Sequence, residues 1–222
     1  MRSLTKTLSA AACTALLASC TTTAEAPGEA VTEAGFTPPP VGTEIDWTFV
    51  YGEGDSDEST SRVVATGQDF AIYLSDTSYG GSDPFDYYVE FSGVFFTMCD
   101  GPMPSAAERE AALALWPLAA GNSSSVSGDW GGDVIIGEQA SILVGKGMSD
   151  VVWTDFSYTE DGTVFTDKSA VSLELGTVVE MRWDDGALDL VRAIRPGTAD
   201  PGTVLVDKPK TLGNCAALIK EN

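Results

Sequence analysis

Apolar and polar side chains alternate along residues 44–51, which read Glu44-Ile45-Asp46-Trp47-Thr48-Phe49-Val50-Tyr51. A period of two is typical of a half-buried β-strand, so we expect one face to carry Ile45, Trp47, Phe49 and Tyr51. The same period returns over residues 85–91, 94–98 and 179–183. Several strands of this kind, with no regular alternation of strand and helix between them, predict an antiparallel sheet.

Turn signals separate these strands. Asp161-Gly162 and Asp185-Gly186 each lie between two apolar runs, which predicts two tight β-hairpins. At Ser92-Gly93 the apolar positions change from odd to even numbers, which indicates a bulge or a tight turn.

One convincing helix interrupts the strands. Ser105 and Glu108 have the spacing of a capping box, and the helix is predicted over about residues 105–116, where Pro117 ends it. A weaker helix is predicted from Asn214 to the C-terminal end. The predicted fold is therefore mainly β: a single antiparallel curved sheet, or an incomplete barrel or sandwich, with one covering helix and a short C-terminal helix.

Composition excludes several classes of function. The 222 residues include 33 Asp and Glu, 12 Lys and Arg and no histidine, for a net charge of −21. Nucleic acid is not expected as a partner, because so acidic a surface repels phosphates. The lack of histidine rules out Ser-His-Asp and Cys-His catalysis and His-containing zinc sites. We expect no cofactor and no catalytic residues.

The N-terminus has the organisation of an export signal. Arg2 and Lys6 precede an apolar run of about 10 to 12 residues, too short to span a bilayer. The run ends in Leu17-Ala18-Ser19-Cys20, which resembles the lipobox of bacterial lipoproteins. This resemblance implies a signal peptide over residues 1–19 and a diacylglyceryl thioether with amide-linked acyl chain on Cys20. The protein would attach to its membrane partner through this lipid.

Residue 21 is threonine rather than the aspartate that retains many lipoproteins at the inner membrane, so the periplasmic leaflet of the outer membrane is the expected location. Residues 20–41 form the lipidated cysteine and a proline-containing linker, and residues 42–222 form the β-rich domain. After cleavage, 10 Lys and Arg stand against 33 Asp and Glu, a net charge of −23.

Two cysteines then remain in the domain. In an oxidising compartment, Cys99 and Cys215 are predicted to form a disulfide. A catalytic thiol and half of a metal site are the competing interpretations.

Four further segments resemble a group of uncharacterised β-rich envelope lipoproteins. They are Gly42-Thr43, Leu115-Trp116-Pro117-Leu118 with Gly121, Gly137-Glu138 before a strand, and Ser172-Leu173-Glu174-Leu175-Gly176-Thr177-Val178-Val179. The resemblance covers about residues 42 to 194. It implies an incomplete barrel similar to that of the bacterial lipoprotein-carrier proteins and implies no particular activity.

Acids and tryptophans are the remaining candidates for chemistry. Glu53, Asp55, Asp57 and Glu58 lie in a Gly/Ser-rich segment that lacks an EF-hand spacing, so a solvated hairpin loop is predicted and no metal site. Asp83 and Asp86 flank Pro84-Phe85. Trp47 and Trp183 are predicted to pack in the core rather than to line a ligand pocket, whereas Trp130 is the tryptophan expected at the surface.

The sequence therefore predicts a non-enzymatic, membrane-anchored envelope lipoprotein whose β domain binds or scaffolds another component. One alternative is a carrier of lipid or another hydrophobic ligand in a half-barrel cavity. A second is an acidic inhibitor or partner of a basic envelope protein, because a charge of −23 would attract a cationic surface. An enzyme acting through carboxylates is a further alternative, and the oligomeric state is left open.

Overall fold

Eleven strands and two short helices make up the part of the chain that the computed structural model describes, namely residues 35–51, 54–76, 86–127, 131–200, 202–206 and 212–221. They are β1 (Glu44–Val50), β2 (Ser56–Thr66), β3 (Phe70–Ser75), β4 (Asp86–Phe91), β5 (Phe95–Met98), α1 (Ala106–Leu113), β6 (Ser123–Val126), β7 (Gly132–Val144), β8 (Gly147–Glu160), β9 (Thr163–Ser172), β10 (Thr177–Arg182), β11 (Leu188–Arg195) and α2 (Cys215–Glu221).

All the strands belong to one antiparallel sheet with the order β5-β4-β3-β2-β1-β11-β10-β9-β8-β7-β6. Neighbours in the sheet are also neighbours along the chain, except where β1 pairs with β11. The predicted mainly β, antiparallel fold is confirmed.

The sheet is curled into a half-barrel. Tyr73 of β3 and Thr177 of β10 are four places apart in the sheet, yet their hydroxyl oxygens are 3.0 Å apart. Bulges contribute to such curvature because an extra residue bends the strand that holds it. The pairing registers shift in this way between Asp46 and Trp47, Val63 and Ala65, Ile136 and Gln139, and Val178 and Glu180.

The two faces of the sheet are both buried near β2–β5. The inner cluster lies on the concave face and includes Trp47, Val63, Tyr73 and Met181. The outer cluster lies on the opposite face and includes Val64, Ile72, Phe91, Phe95, Leu212 and Leu218. Helix α2 contributes Leu218 to the outer cluster and so covers the convex side of these strands.

A disulfide fixes α2 to the sheet. Cys99, directly after β5, is bonded to Cys215 at the start of α2, with 5.1 Å between their Cα atoms. Both cysteines are buried in the outer cluster. The predicted pairing is therefore present, and the two thiols are used structurally.

Helix α1 begins as the sequence predicts and ends three residues earlier. Ser105 accepts a hydrogen bond from the Glu108 amide, and the Glu108 carboxylate accepts one from the Ser105 amide, which completes the capping box. After Leu113 the chain continues in tighter turns, because the amides of Leu115 and Trp116 bond to carbonyls three residues back. The Trp116 indole donates to the Ser92 carbonyl at 2.8 Å.

Both Asp-Gly hairpins are present, and Ser92-Gly93 forms a tight turn with positive φ at both residues. Two local expectations are wrong. Tyr51 is 47% exposed, because β1 ends at Val50 and the Tyr51 amide bonds to the Asp55 carbonyl in the turn. Asp57 and Glu58 are exposed residues within β2 rather than loop residues.

Gly137-Glu138 also differs from the expected place before a strand. These residues lie inside β7, at its bulge opposite β8. The Cβ of any other residue at 137 would be 3.0 Å from the Trp153 carbonyl oxygen, so this bulge brings the two backbones close together.

The last residues of the segment predicted as a linker contact the domain. Val41 is buried in the inner cluster, and the rings of Phe36 and Trp116 lie 5.8 Å apart. Residues 1–34, which include Cys20, lie outside the described residues, as do Glu53, Asp83 and Trp130. Across the described helices, neither has the length and hydropathy that a membrane span requires.

Candidate ligand-binding cleft

The concave face of the half-barrel holds a cleft of about 180 Å³. It lies between β1, β10 and β11 on one side and β4 and β5 on the other. Its walls are mainly apolar and aromatic, and the residues that line it are Trp47, Phe49, Tyr88, Glu90, Phe96, Thr97, Met98, Thr177, Val178, Met181, Trp183 and Asp189.

Strand alternation explains why these side chains meet. Trp47 and Phe49 are two residues apart on β1, so both face inward, as the sequence predicts. Asp189 of β11 is opposite Phe49 on β1 and opposite Met181 on β10. A carboxylate therefore lies between two large apolar neighbours on the inner face.

Asp189 is a buried acid in a cleft whose walls are mainly apolar. Its side chain is 8% exposed, and its Oδ2 accepts a hydrogen bond of 2.9 Å from the indole Nε1 of Trp183. Burial raises the pKa of Asp189 to about 6, although the bond from Trp183 opposes the increase. At neutral pH the group is mostly ionised, with one hydrogen bond from a described residue.

Glu90 is a second buried acid, and it has more hydrogen bonds. Its Oε2 accepts from the hydroxyls of Tyr73 at 2.9 Å and Thr177 at 2.6 Å, and its Oε1 accepts from the Val178 amide at 2.9 Å. Burial raises the pKa of Glu90, and these three bonds oppose that effect. Because the donors come from β3 and β10, Glu90 holds the two sides of the half-barrel together.

The aromatic wall includes an unpartnered donor. Trp47 is 8% exposed, and its Nε1–H has no hydrogen-bond acceptor among the described residues. A buried N–H without an acceptor carries a desolvation penalty of about 1–3 kcal/mol. A ligand with an acceptor atom could relieve that penalty.

A smaller cleft of about 30 Å³ adjoins the first and shares Phe96, Val178, Met181 and Trp183 with it. Phe156 and Tyr158 of β8 extend the aromatic wall there, with 5.8 Å between their ring centroids. This cleft also contains a buried acid, Asp167, which accepts a hydrogen bond from the Asp184 amide. Burial raises the pKa of Asp167 as well.

The sequence-based candidates are only partly found at this site. As predicted, Trp47 is in the inner cluster and Trp183 packs against it, and both side chains also line the cleft. Cys99 and Cys215 are on the opposite face. Among the described residues, no group of three or more Asp, Glu or Cys side chains is placed to hold a metal ion.

Sequence reasoning missed Glu90 and Asp189. The alternation of Tyr87, Val89 and Phe91 assigns Glu90 to a solvent-facing side, whereas β4 is buried on both faces. The sequence did contain one indication that both faces of β4 are buried. Tyr88 is an aromatic residue on the same side of the strand as Glu90, and apolar residues on both sides of a strand indicate that both faces are covered.

Comparison with known proteins gives two structural likenesses. No protein-family model matches the chain, and no curated protein matches it. It is similar to a protein from Parabacteroides distasonis described as a "putative lipoprotein", with 14% identity and a TM-score of 0.39 over 72% of this chain and 98% of that one. It is also similar to a Bacteroides fragilis protein described as a "putative exported protein with YmcC-like fold", with 11% identity and a TM-score of 0.38 over 73% and 99%. At these values, neither likeness says what this chain does.

Proposed function

We propose that this protein is a lipid-anchored component of the bacterial envelope whose half-barrel binds a small hydrophobic ligand in its concave cleft. The observation that carries the proposal is the aromatic cleft of about 180 Å³ on the inner face. Apolar concave sites with a few placed polar groups are typical of small-molecule binding. Here the polar groups are Asp189, Glu90 and the unpartnered Nε1–H of Trp47.

The volume limits what the cleft can hold. A dry apolar cavity of about 150 Å³ accommodates a molecule of the size of benzene. The cleft is slightly larger, so it suits one ring or a short alkyl chain rather than a whole phospholipid. The ligand is therefore a small amphiphile, or one chain of a larger one.

The anchor is the second part of the proposal. The lipobox at Leu17-Ala18-Ser19-Cys20 supports lipidation of Cys20, and Thr21 supports the periplasmic leaflet of the outer membrane. From Cys20 to Gly35, the first described residue, a fully extended chain would reach at most about 50 Å. The cleft would then remain within reach of the membrane that supplies or receives its ligand. We also propose that the protein binds its ligand without catalysing a reaction.

Detergent-free native mass spectrometry tests the binding. The mature chain, residues 20–222 with Cys20→Ala, would be exported behind a cleavable signal and titrated with 1-octanol. We expect the mass spectra to show saturable binding of one molecule per chain. The tryptophan fluorescence, to which Trp47 and Trp183 in the cleft contribute, should change over the same concentration range. Val178 lines the cleft, so the larger side chain of Val178→Phe should occupy part of its volume. We expect this variant to bind 1-octanol at least about tenfold more weakly, a difference of about 1.4 kcal/mol.

Val164→Phe is the matched control, because Val164 is 66% exposed on β9 and outside both clefts. Phe96→Trp is a second filling variant if Val178→Phe does not fold by near-ultraviolet circular dichroism. Wild-type protein that neither binds 1-octanol nor retains a cellular ligand would contradict the binding proposal.

Metabolic labelling tests the anchor independently. Cells fed an alkyne fatty acid should incorporate the label into the full chain and not into its Cys20→Ala form. Separation of inner and outer membranes would then locate the labelled protein. An unlabelled wild-type chain would contradict the anchor without affecting the binding result. Association with a basic envelope protein stays a prediction from net charge.

A further inference from the structure

Asp189 places a negative charge in the cleft, and no Lys or Arg of the described residues forms an ion pair with it. Its Oδ2 accepts the Trp183 bond, while no described residue donates a hydrogen bond to Oδ1. In the part of the chain that the structure describes, neither Lys nor Arg lines the cleft. An ionised carboxylate buried in this way is destabilising unless something pairs with it.

The arginines on the neighbouring strands do not serve this purpose. Arg182 of β10 and Arg192 and Arg195 of β11 are exposed and lie outside the cleft lining. Each forms an ion pair elsewhere, with Glu180, with Glu58, and with Glu44 and Asp46 respectively. The charge of Asp185 also raises the pKa of Asp189, after the larger effect of burial, and so adds to the negative potential.

Aromatic rings line the cleft beside this carboxylate. Trp183 donates to Asp189, Phe49 is opposite it on β1, and Trp47 lies two residues from Phe49. The faces of indole and phenyl rings carry partial negative charge and attract ammonium groups, most strongly where water is excluded. A carboxylate among aromatic rings is therefore a chemical match for an organic cation.

We propose that the ligand is an amphiphilic organic cation whose ammonium group pairs with Asp189 among Trp47, Phe49 and Trp183. The ligand's apolar body occupies the rest of the cleft. This inference rests on the proposed binding function and names the class of ligand.

Octylammonium and 1-octanol form a matched pair of probes, because they differ by one head atom and by charge. Binding of each to the mature chain with Cys20→Ala would be measured by calorimetry at pH 7.5 in about 0.15 M salt, which screens the general attraction of an acidic surface. We expect octylammonium to bind at least about tenfold more tightly than 1-octanol. Equal affinities would overturn the inference while leaving hydrophobic binding intact.

Asp189→Asn identifies the group responsible, since asparagine keeps the size and an acceptor for Trp183. We expect it to abolish the preference for octylammonium and leave 1-octanol affinity within about twofold. Asp150→Asn, on the exposed part of β8, is the control with the same change in net charge and should keep the preference. A preference that survives Asp189→Asn would overturn the assignment. Should that variant fail to fold, the wild-type comparison decides alone, and a wild type that binds neither probe refutes the binding proposal as well.

Discussion

The hydroxyl of Tyr73 on β3 donates a hydrogen bond of 2.9 Å to the carboxylate of Glu90 on β4, inside the half-barrel. The same carboxylate oxygen accepts from Thr177 of β10, so one buried acid joins the two sides of the curled sheet. Tyr73 and Glu90 are both buried, and burial raises the pKa of the Tyr73 phenol well above its ordinary value. This network fixes the wall of the cleft.

Tyr73→Phe should destabilise the domain because it removes one of three donors to a buried carboxylate. Leaving a buried polar group less satisfied carries a penalty of about 1–3 kcal/mol, and we expect a loss in that range in urea unfolding. Tyr51→Phe is the control, since Tyr51 is 47% exposed. A change below about 0.5 kcal/mol at Tyr73 would mean that the network does not hold the curl.

Gly93→Ala should disrupt the closure of the half-barrel. Gly93 has a φ of 67°, and a Cβ there would lie 2.6 Å from the carbonyl oxygen of Gly176, across the barrel. Positive φ alone makes alanine unfavourable by about 1 kcal/mol. The backbone contact adds to this, so we expect a total loss of more than about 2 kcal/mol in urea unfolding.

Gly162→Ala isolates the contribution of the contact. Gly162 has a φ of 80° in the β8–β9 turn, and a Cβ there would meet nothing within 4 Å. It should therefore show only the conformational penalty. Equal losses for the two variants would show that the approach of Gly93 to Gly176 is easily relaxed.

The sequence predicted local structure well wherever a short-range rule governs it. Ser105 and Glu108 form their capping box, and Asp161-Gly162 forms its hairpin, because both depend on residues within a few positions. The curl could not be predicted in the same way. It depends on Glu90 meeting Thr177, and a separation of 87 residues leaves no periodic trace in the sequence.

Whether the half-barrel encloses a cleft was left open by the sequence for a related reason. Trp47 has the same alternation whether it fills a solid core or lines a cavity, since both place it on the inner face. Whether a cavity remains depends on the distance between the strands on opposite sides of the half-barrel, and that distance is set by the whole sheet. Asp189 between Leu188 and Leu190 was the available hint, because a lone acid in an apolar strand needs a partner or a function.

Removing the disulfide should weaken the attachment of α2. The bond between Cys99 and Cys215 closes a loop with a sequence separation of 116, for which the chain-entropy model gives about 4–5 kcal/mol. We expect Cys99→Ala/Cys215→Ala to lose a stability of that order in urea unfolding. Reductant should lower the stability of the parent protein and leave the double variant unchanged; a double variant as stable as the parent would contradict the entropic account.

The stability effect of Asp189 should depend on pH in a defined direction. The ordinary pKa of this carboxyl is 3.8, and the folded protein raises it to about 6. Well below pH 3.8 the group is protonated in both states and has no effect. Between the two values the folded state holds a proton that the unfolded state has lost, so stability falls as the pH rises, and above pH 6 the full penalty is present.

Asp189→Asn removes this penalty. In the absence of ligand, the advantage of the variant over the parent should be smallest near pH 3 and grow by up to about 3 kcal/mol at pH 8, since two pKa units correspond to that free energy. Urea unfolding at intervals from pH 3 to 8 measures the difference, and the exposed Asp150→Asn is the control with the same change in net charge. A difference that stays constant with pH would mean that Asp189 is as well solvated in the fold as in the unfolded chain. If the predicted trend is found, octylammonium should oppose it at pH 8 by stabilising the parent more than the variant, because only the parent offers the cation a buried charge.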